Sequence, residues 1–300
     1  TLTTDKIVGD EKKVHVNYPL LPKEVKVGGY ILLHDGKKKL QITDIKGNDV
    51  ITKVIVGGEI KSKRGVNLPG AYLSISSITD KDRKDLEFGL KNKVDFIALS
   101  FVRRPSDISE LRDILNQAKS KASIIAKIET PEALENIDEI ISLADGIMVA
   151  RGDLAIEIPA EEVPLVQKML ISKCNALGKP VITATQMLES MIKSPVPTRA
   201  EVSDVANAML DGTDAVMLSA ETATGEHPAQ VVATMARICL GAERQSQALI
   251  STHRIDCQFS QIPEVIAMSA MYAANHFMIR GIIAVTESGF TPLLMSRIRS

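Results

Sequence analysis

The sequence predicts an α/β fold built on a parallel sheet, and three observations carry that reading. From Thr79 onward, strand-like and helix-like stretches alternate five times. Each strand-like stretch is almost continuously apolar, the pattern required when helices cover both faces of a sheet. The polar residues gather at the C-terminal ends of several different strands: Ser100 and Arg103, Lys127 and Glu129, Arg151 and Asp153, Thr185 and Gln186, Ser219 and Glu221. Chemistry spread around a ring of strand ends favours an eight-stranded β/α (TIM) barrel over an open sheet. No strand here is followed by the G-x-G-x-x-G turn that a dinucleotide-binding open sheet would carry.

Residues 1 to about 72 have a different texture. KKVHVNY and YILLHDGKKKLQITDIKGNDVITKVIVGG are short β-branched runs separated by DG, GN and GG, the signature of a small antiparallel β unit. The repeat then begins. Strands are expected at VDFIALSFV, SIIAKIE, GIMVARGD, PVITATQ and AVMLSAE, with helices near 80–91, 107–118, 131–142, 163–177 and 199–210. Helix starts are legible at Ser106 after a proline-marked loop, at Thr130 before Pro131, and at the capping box from Thr198 to Glu201. Five units do not close an eight-stranded barrel, so the barrel is expected to be incomplete, with three units preceding Thr1. A helix over 228–249 would finish the last unit. IPEVIAMSAMYAANHF, GIIAVT and TPLLMSRIRS then read as the helix, strand and helix that begin a further α/β domain. The expected divisions are 1–73, 74–252 and 253–300.

The bulk properties exclude several classes. With 300 residues, 45% hydrophobic and 24% charged, the chain can bury one large core and a smaller satellite. A net charge of -1, 3% aromatic residues and no Trp leave neither an electrostatic footprint nor stacking platforms for nucleic acid. Cys174, Cys239 and Cys257 lie far apart without metal-ligand spacing, so reduced thiols and a cytoplasmic setting are expected. The start is polar and lacks an initiator Met, and no apolar run is long enough to cross a bilayer, so neither a signal peptide nor a membrane partner is expected. The five histidines show no ligand spacing.

The chemistry concentrates in SIIAKIET. Residues two apart on a strand share a face, so Ile125, Lys127 and Glu129 point one way and Ile124, Ala126 and Ile128 the other. Burying a lysine and a carboxylate costs several kcal/mol per ion unless they pair or meet a ligand or metal. A plain ion pair at the barrel mouth is one reading. The next strand favours another, because GIMVARGD ends in Asp153 after a glycine and places a second carboxylate at the neighbouring mouth. Two hard oxygen ligands with open positions suit Mg2+ or Mn2+. With a lysine beside them, they suit a transferring phosphoryl group or an enolate. Thr185 lies at another strand end, placed either to relay a proton or to satisfy a nearby backbone group.

The strings IIAKIET, GIMVARGDLAIEIP, KPVITATQMLESMIKSPVPTRAEVSDVANAMLDGTDAVMLSAETATGEHP, KSKRGVNLPG and DKDRKDLEFGLKNKVDFIALSFVR closely resemble the pyruvate kinase family in wording and order. The resemblance runs from inside a lid domain through barrel strands four to eight into the C-terminal domain. It implies phosphoryl transfer from phosphoenolpyruvate to ADP, giving ATP and pyruvate, with Mg2+ or Mn2+ and K+, in a homo-oligomer, a tetramer by the family pattern. Carried over, Glu129 and Asp153 are metal ligands, Lys127 neutralises the phosphoryl group, and Thr185 delivers a proton. Ala150, Arg151, Gly152 and Ser100 bind substrate, and Lys63 and Arg64 lie near the nucleotide phosphates. Thr286, Ser288 and Thr291 match a loop holding an activator phosphate, although Glu287 opposes an anion there and a simple capped loop is the competing reading. The chain departs from the family at Ala220 and Thr224, where glycine and lysine are usual, and at His34 before Asp35. The family's substrate arginine and potassium ligands match no position of this chain.

Two other readings remain open at this stage. One is a magnesium-dependent aldolase or lyase of the enolate type, which would act without nucleotide. The other is a non-catalytic assembly module whose exposed strand edges pair with another chain.

Overall fold

The computed structural model describes residues 1–62, 64–245, 259, 261–277 and 279–298. The N-terminal sheet contains β1 (Leu2–Thr3), β2 (Val14–His15), β3 (Tyr30–Leu33), β4 (Lys38–Lys46), β5 (Asp49–Val56) and β6 (Val66–Asn67), in the order β2-β1-β5-β4-β3-β6. Gly47 takes φ 59 in the two-residue turn joining β4 to β5, where a glycine lets the strands pair without splaying. Leu2, Leu21, Ile31, Ile42 and Val50 form its core. The sheet is not wholly antiparallel as expected: β1 and β2 pair in parallel, Leu2 opposite Val14.

The second sheet is parallel throughout, with β7 (Phe96–Val102), β8 (Ser123–Ile128), β9 (Gly146–Ala150), β10 (Val181–Ala184) and β11 (Ala215–Met217) in chain order. A doubly wound sheet reverses its order at a switch point, and this one does not, as befits an arc of a barrel. Ile124, Ala126 and Ile128 are fully buried against the surrounding helices, with Ile108, Leu111, Ile140 and Leu170. Ile125, Met148 and Ala184 form a separate small cluster on the opposite face. The period-two reading of β8 therefore holds, and Lys127 and Glu129 follow Ile125 on that face.

Helices span Asp80–Lys91, Pro105–Gln117, Val163–Ala176 and Arg199–Leu210, close to expectation. Thr79 and Asp82, and Thr198 and Glu201, close reciprocal capping boxes. The second helix starts at Pro105, where the Asp107 carboxylate accepts from the Arg103 and Arg104 N–H groups. The helix expected over 131–142 divides into Pro131–Glu135 and Ile137–Leu143, because the Asn136 side chain donates to the Glu132 and Arg103 carbonyls at the joint. The terminal helix of the repeat covers Pro228–Glu243, and the end of its expected range lies outside the described residues.

Two further expectations are corrected. Residues 151–157 form a short helix directly after β9, so Asp153 sits in its first turn and not in a strand-end loop. GIIAVT forms no strand: between the helices Ile262–His276 and Phe290–Ile298, Ile283 is 95% and Val285 97% exposed. A strand exists through its ladder partner, and among the described residues none lies beside this segment.

After β11, Glu221 is fully buried, its carboxylate accepting the Leu188 and Ser219 N–H groups at 3.2 and 2.7 Å. The chain then crosses so close that a Cβ at Gly225 would stand 2.2 Å from the Glu221 carbonyl oxygen. Gly225→Ala is expected to cost ~1–3 kcal/mol in urea unfolding, whereas Gly65→Ala, with nothing within 4 Å of its Cβ, is expected to change little.

Candidate active site

Glu129 is 1% exposed at the end of β8. Its Oε2 accepts the Phe101 N–H at 2.6 Å. Its Oε1 accepts no hydrogen bond, although the Lys127 ammonium stands 2.8 Å away as an ion-pair partner. Lys127 Nζ aligns instead on Ser100 Oγ, at 2.8 Å. The Phe101 N–H reaches Glu129 because the β7–β8 pairing is irregular between Leu99 and Val102 and Phe101 adopts φ 51.

Asp153 adds the second carboxylate. Burial raises its pKa, the neighbouring Glu129 charge and hydrogen bonding raise it further along with Asp35, and Lys127 opposes them. After burial, the Glu129 charge is the next cause of that rise, so the two carboxylates act on one another. A buried Oε1 that accepts no hydrogen bond and has only the Lys127 ammonium beside it, with a second carboxylate near by, is a donor set that fits a hard divalent cation. Among the described residues no group of three or more His, Cys, Asp or Glu could hold a metal. A cation here would therefore need oxygens from outside the side-chain pair.

The ends of β9 and β10 interlock. Thr185 and Gln186 both lie in the left-handed region, at φ 68 and 53. Thr185 Oγ1 accepts the Gly152 N–H at 2.7 Å and donates to the Ala184 carbonyl at 2.6 Å. The Arg151 side chain points toward Ala184, Thr185, Gln167 and Asp204, so any part for Ala150 and Arg151 at a ligand falls to backbone, while the Gly152 N–H expected to bind substrate is taken by Thr185 Oγ1.

A cavity of about 930 Å³ lies between the two sheets, lined among others by Asp35, Asn67, Ser100, Phe101, Asp153 and Glu157. Asn67 Nδ2 donates to Glu157 Oε1 at 3.1 Å, joining the N-terminal sheet to the helix that carries Asp153. The β3–β4 turn approaches the same helix, since a methyl at Gly36 would lie 3.6 Å from Ile156. Arg64 is exposed and does not line this cavity, and Lys63 lies outside the described residues. Thr224 is exposed, its hydroxyl donating to the Ala220 carbonyl. In the 286–289 loop, Thr286 and Ser288 accept the Gly289 and Phe290 N–H groups, which supports the capped-loop reading, and Thr291 sits in the helix that follows.

Sequence reasoning missed Asn67, Glu157, Gln167 and Asp204. Each meets a partner distant in the chain, and its local pattern carries no signal.

These elements define a β/α-barrel protein with a covering β unit and a lysine–carboxylate site at its strand ends. The family model described as pyruvate kinase, barrel domain, matches residues 1–232, and the model for the pyruvate kinase alpha/beta domain matches residues 264–300. The chain belongs to the pyruvate kinase family. It is 49% identical over 305 residues to pyruvate kinase of Bacillus licheniformis, covering 99% of this chain and 52% of the relative. It is 48% identical over 303 residues to that of Geobacillus stearothermophilus, covering 99% and 51%. The crystal structure of a pyruvate kinase from Cryptosporidium parvum superposes with TM-score 0.90 at 44% identity, over 99% of this chain and 63% of that one. The chain thus spans about half the length of the curated relatives it matches. No helix among the described residues is long and apolar enough to cross a membrane.

Glu157 gives a test by pH. Burial raises its pKa, with the Asp153 charge adding and the Asn67 hydrogen bond opposing. A folded state that binds this proton more tightly than the unfolded chain loses stability as pH rises from the ordinary glutamate value, about 4.3, through the raised one. Glu157→Gln keeps an acceptor for Asn67 and removes the penalty. It should raise the unfolding temperature at pH 7 by about 1–3 °C and leave it unchanged at pH 4, read by scanning calorimetry.

Proposed function

We propose that this chain carries catalytic machinery for transferring the phosphoryl group of phosphoenolpyruvate to ADP, giving ATP and pyruvate. The observation that carries the reading is the joint placement of Lys127, Glu129 and Asp153, one ammonium beside two repelling carboxylates. Family membership supports it.

In this reading Glu129 and Asp153 hold Mg2+ or Mn2+, which when bound neutralises and polarises substrate oxygens. An oxygen of the ADP terminal phosphate attacks phosphorus, and the bond from phosphorus to the enol oxygen breaks. Lys127, held by Ser100, offers its ammonium to the charge spread over the transferring group. Enolpyruvate then takes a proton at its methylene carbon. Thr185 lies in that path, its hydroxyl fixed by Gly152 and Ala184. The N-terminal sheet contributes Asp35 and Asn67 to the wall of the cavity that Asp153 and Ser100 also line, and so reduces the space open to water there. K+, a homo-oligomeric, tetrameric assembly and a cytoplasmic setting come with the family. So does the division into a lid at 1–73, barrel units at 74–252 and a C-terminal domain from 253.

The test is pyruvate formation from phosphoenolpyruvate and ADP with Mg2+ and K+, on protein shown to be folded. Activity should vanish on chelation. Lys127→Ala should lower kcat by about 10²- to 10³-fold while Mn2+ still binds, as measured by electron paramagnetic resonance. Wild-type turnover in that variant would remove Lys127 from its assigned role, and turnover of a carbonyl substrate without nucleotide would favour a lyase.

A further inference from the structure

We propose that Arg151, held by Asp204 and Gln167, is a positioning residue that fixes the backbone of Thr185 and so aims its hydroxyl. The inference rests on the phosphotransferase reading above, in which Thr185 supplies the proton path.

Two consecutive non-glycine residues in the left-handed region are uncommon, and for a β-branched threonine the conformation is an outlier that something must hold. The Arg151 guanidinium supplies the hold. Its Nε donates to the Ala184 carbonyl at 3.2 Å and its Nη2 to the Thr185 carbonyl at 2.7 Å, gripping the peptide groups on either side of the Thr185 Cα. A planar fork can span both acceptors, which a lysine cannot. Nη1 is anchored from behind by both Asp204 oxygens at 2.7 Å and by Gln167 Oε1 at 3.2 Å. The arginine side chain is 11% exposed, so the Asp204 charge is what allows the guanidinium to sit there.

The consequence reaches the hydroxyl through the backbone. Thr185 Oγ1 donates to Ala184 O, the oxygen that Arg151 Nε also engages, and accepts from Gly152 N–H. A shift of that carbonyl would swing the hydroxyl and release the Gly152 amide. Neither Asp204 nor Gln167 lines the cavity. Their effect passes through Arg151 and the Thr185 backbone.

The test uses the full chain with Asp204→Asn, which keeps shape and removes charge. Its kcat should fall about tenfold, its KM for phosphoenolpyruvate should stay within about twofold, and Gly152 amide exchange should quicken about tenfold. A folded Asp204→Asn protein with wild-type kcat and wild-type Gly152 exchange would overturn the proposal. Should Asp204→Asn fail to fold, Arg151→Lys retains the charge pair but not the fork, and the same kcat and exchange outcomes apply to it. Gly152 exchange is read without substrate. A wild-type protein inactive with phosphoenolpyruvate and ADP would therefore defeat the phosphotransferase reading separately, while exchange still judged the clamp.

Discussion

The burial of the Glu129 carboxylate is the constraint from which the rest of the site follows. A carboxylate 1% exposed must be paired and hydrogen-bonded or it costs several kcal/mol. Lys127, two residues earlier on the same face of β8, supplies the charge. The hydrogen bond comes from Phe101 N–H on the neighbouring strand, and it is available only because β7 abandons regular pairing before Val102. That irregularity leaves Ser100 Oγ facing Lys127 Nζ. Asp153, brought up by the helix after β9, is pushed toward its protonated form by its own burial first and by the Glu129 charge second.

The same bulge anchors the connection to the N-terminal sheet. Ser77 Oγ donates to the Phe101 carbonyl at 3.2 Å, and Arg103, the second residue after Phe101, donates to the Leu73 carbonyl at 2.6 Å and to that of Ile75. The linker between the sheets is therefore tied to the peptide that serves Glu129. On the other side, Asn67 meets Glu157 on the helix that bears Asp153. A movement of the β unit pulls at both ends on elements that set the carboxylate pair. On the proposed reading, closure of the cavity and geometry of the cation site are one mechanical problem.

Legibility in the sequence tracks the range over which the determining interaction acts. The helix Arg199–Leu210 was readable because its capping box closes within four residues. The shared face of Lys127 and Glu129 was readable because strand period is local. The Arg151–Glu157 helix was not, since Gly152 in its first turn weakens the helical signal. The direction of Arg151 was not, because Asp204 lies 53 residues away, nor was the Asn67–Glu157 contact, whose partners are 90 residues apart. GIIAVT shows the opposite error: composition describes what a strand would contain but cannot provide the neighbour it needs.

The distribution of backbone strain marks the site independently of any relative. Among the described residues seven that are not glycine have positive φ: His34, Asp35, Lys93, Phe101, Lys119, Thr185 and Gln186. Lys93 and Lys119 follow directly after the capping residues of the helices ending at Lys91 and Gln117, where a left-handed residue is the ordinary way to satisfy the last carbonyls. Of the other five, His34 and Asp35 have the local reason of a hairpin turn, and Phe101, Thr185 and Gln186 have none. Phe101 serves Glu129, Thr185 and Gln186 close the end of β10 over Gly152, and His34 and Asp35 form the β3–β4 turn whose Asp35 lines the cavity. A regular strand sends successive side chains to opposite faces, so presenting an N–H and a hydroxyl into one mouth requires the chain to turn back on itself. Each such turn costs about 1–3 kcal/mol and persists only where neighbouring bonds hold it. The strain without a local reason thus falls at Phe101, whose N–H serves Glu129, and at Thr185 and Gln186, beside the Gly152 that precedes Asp153.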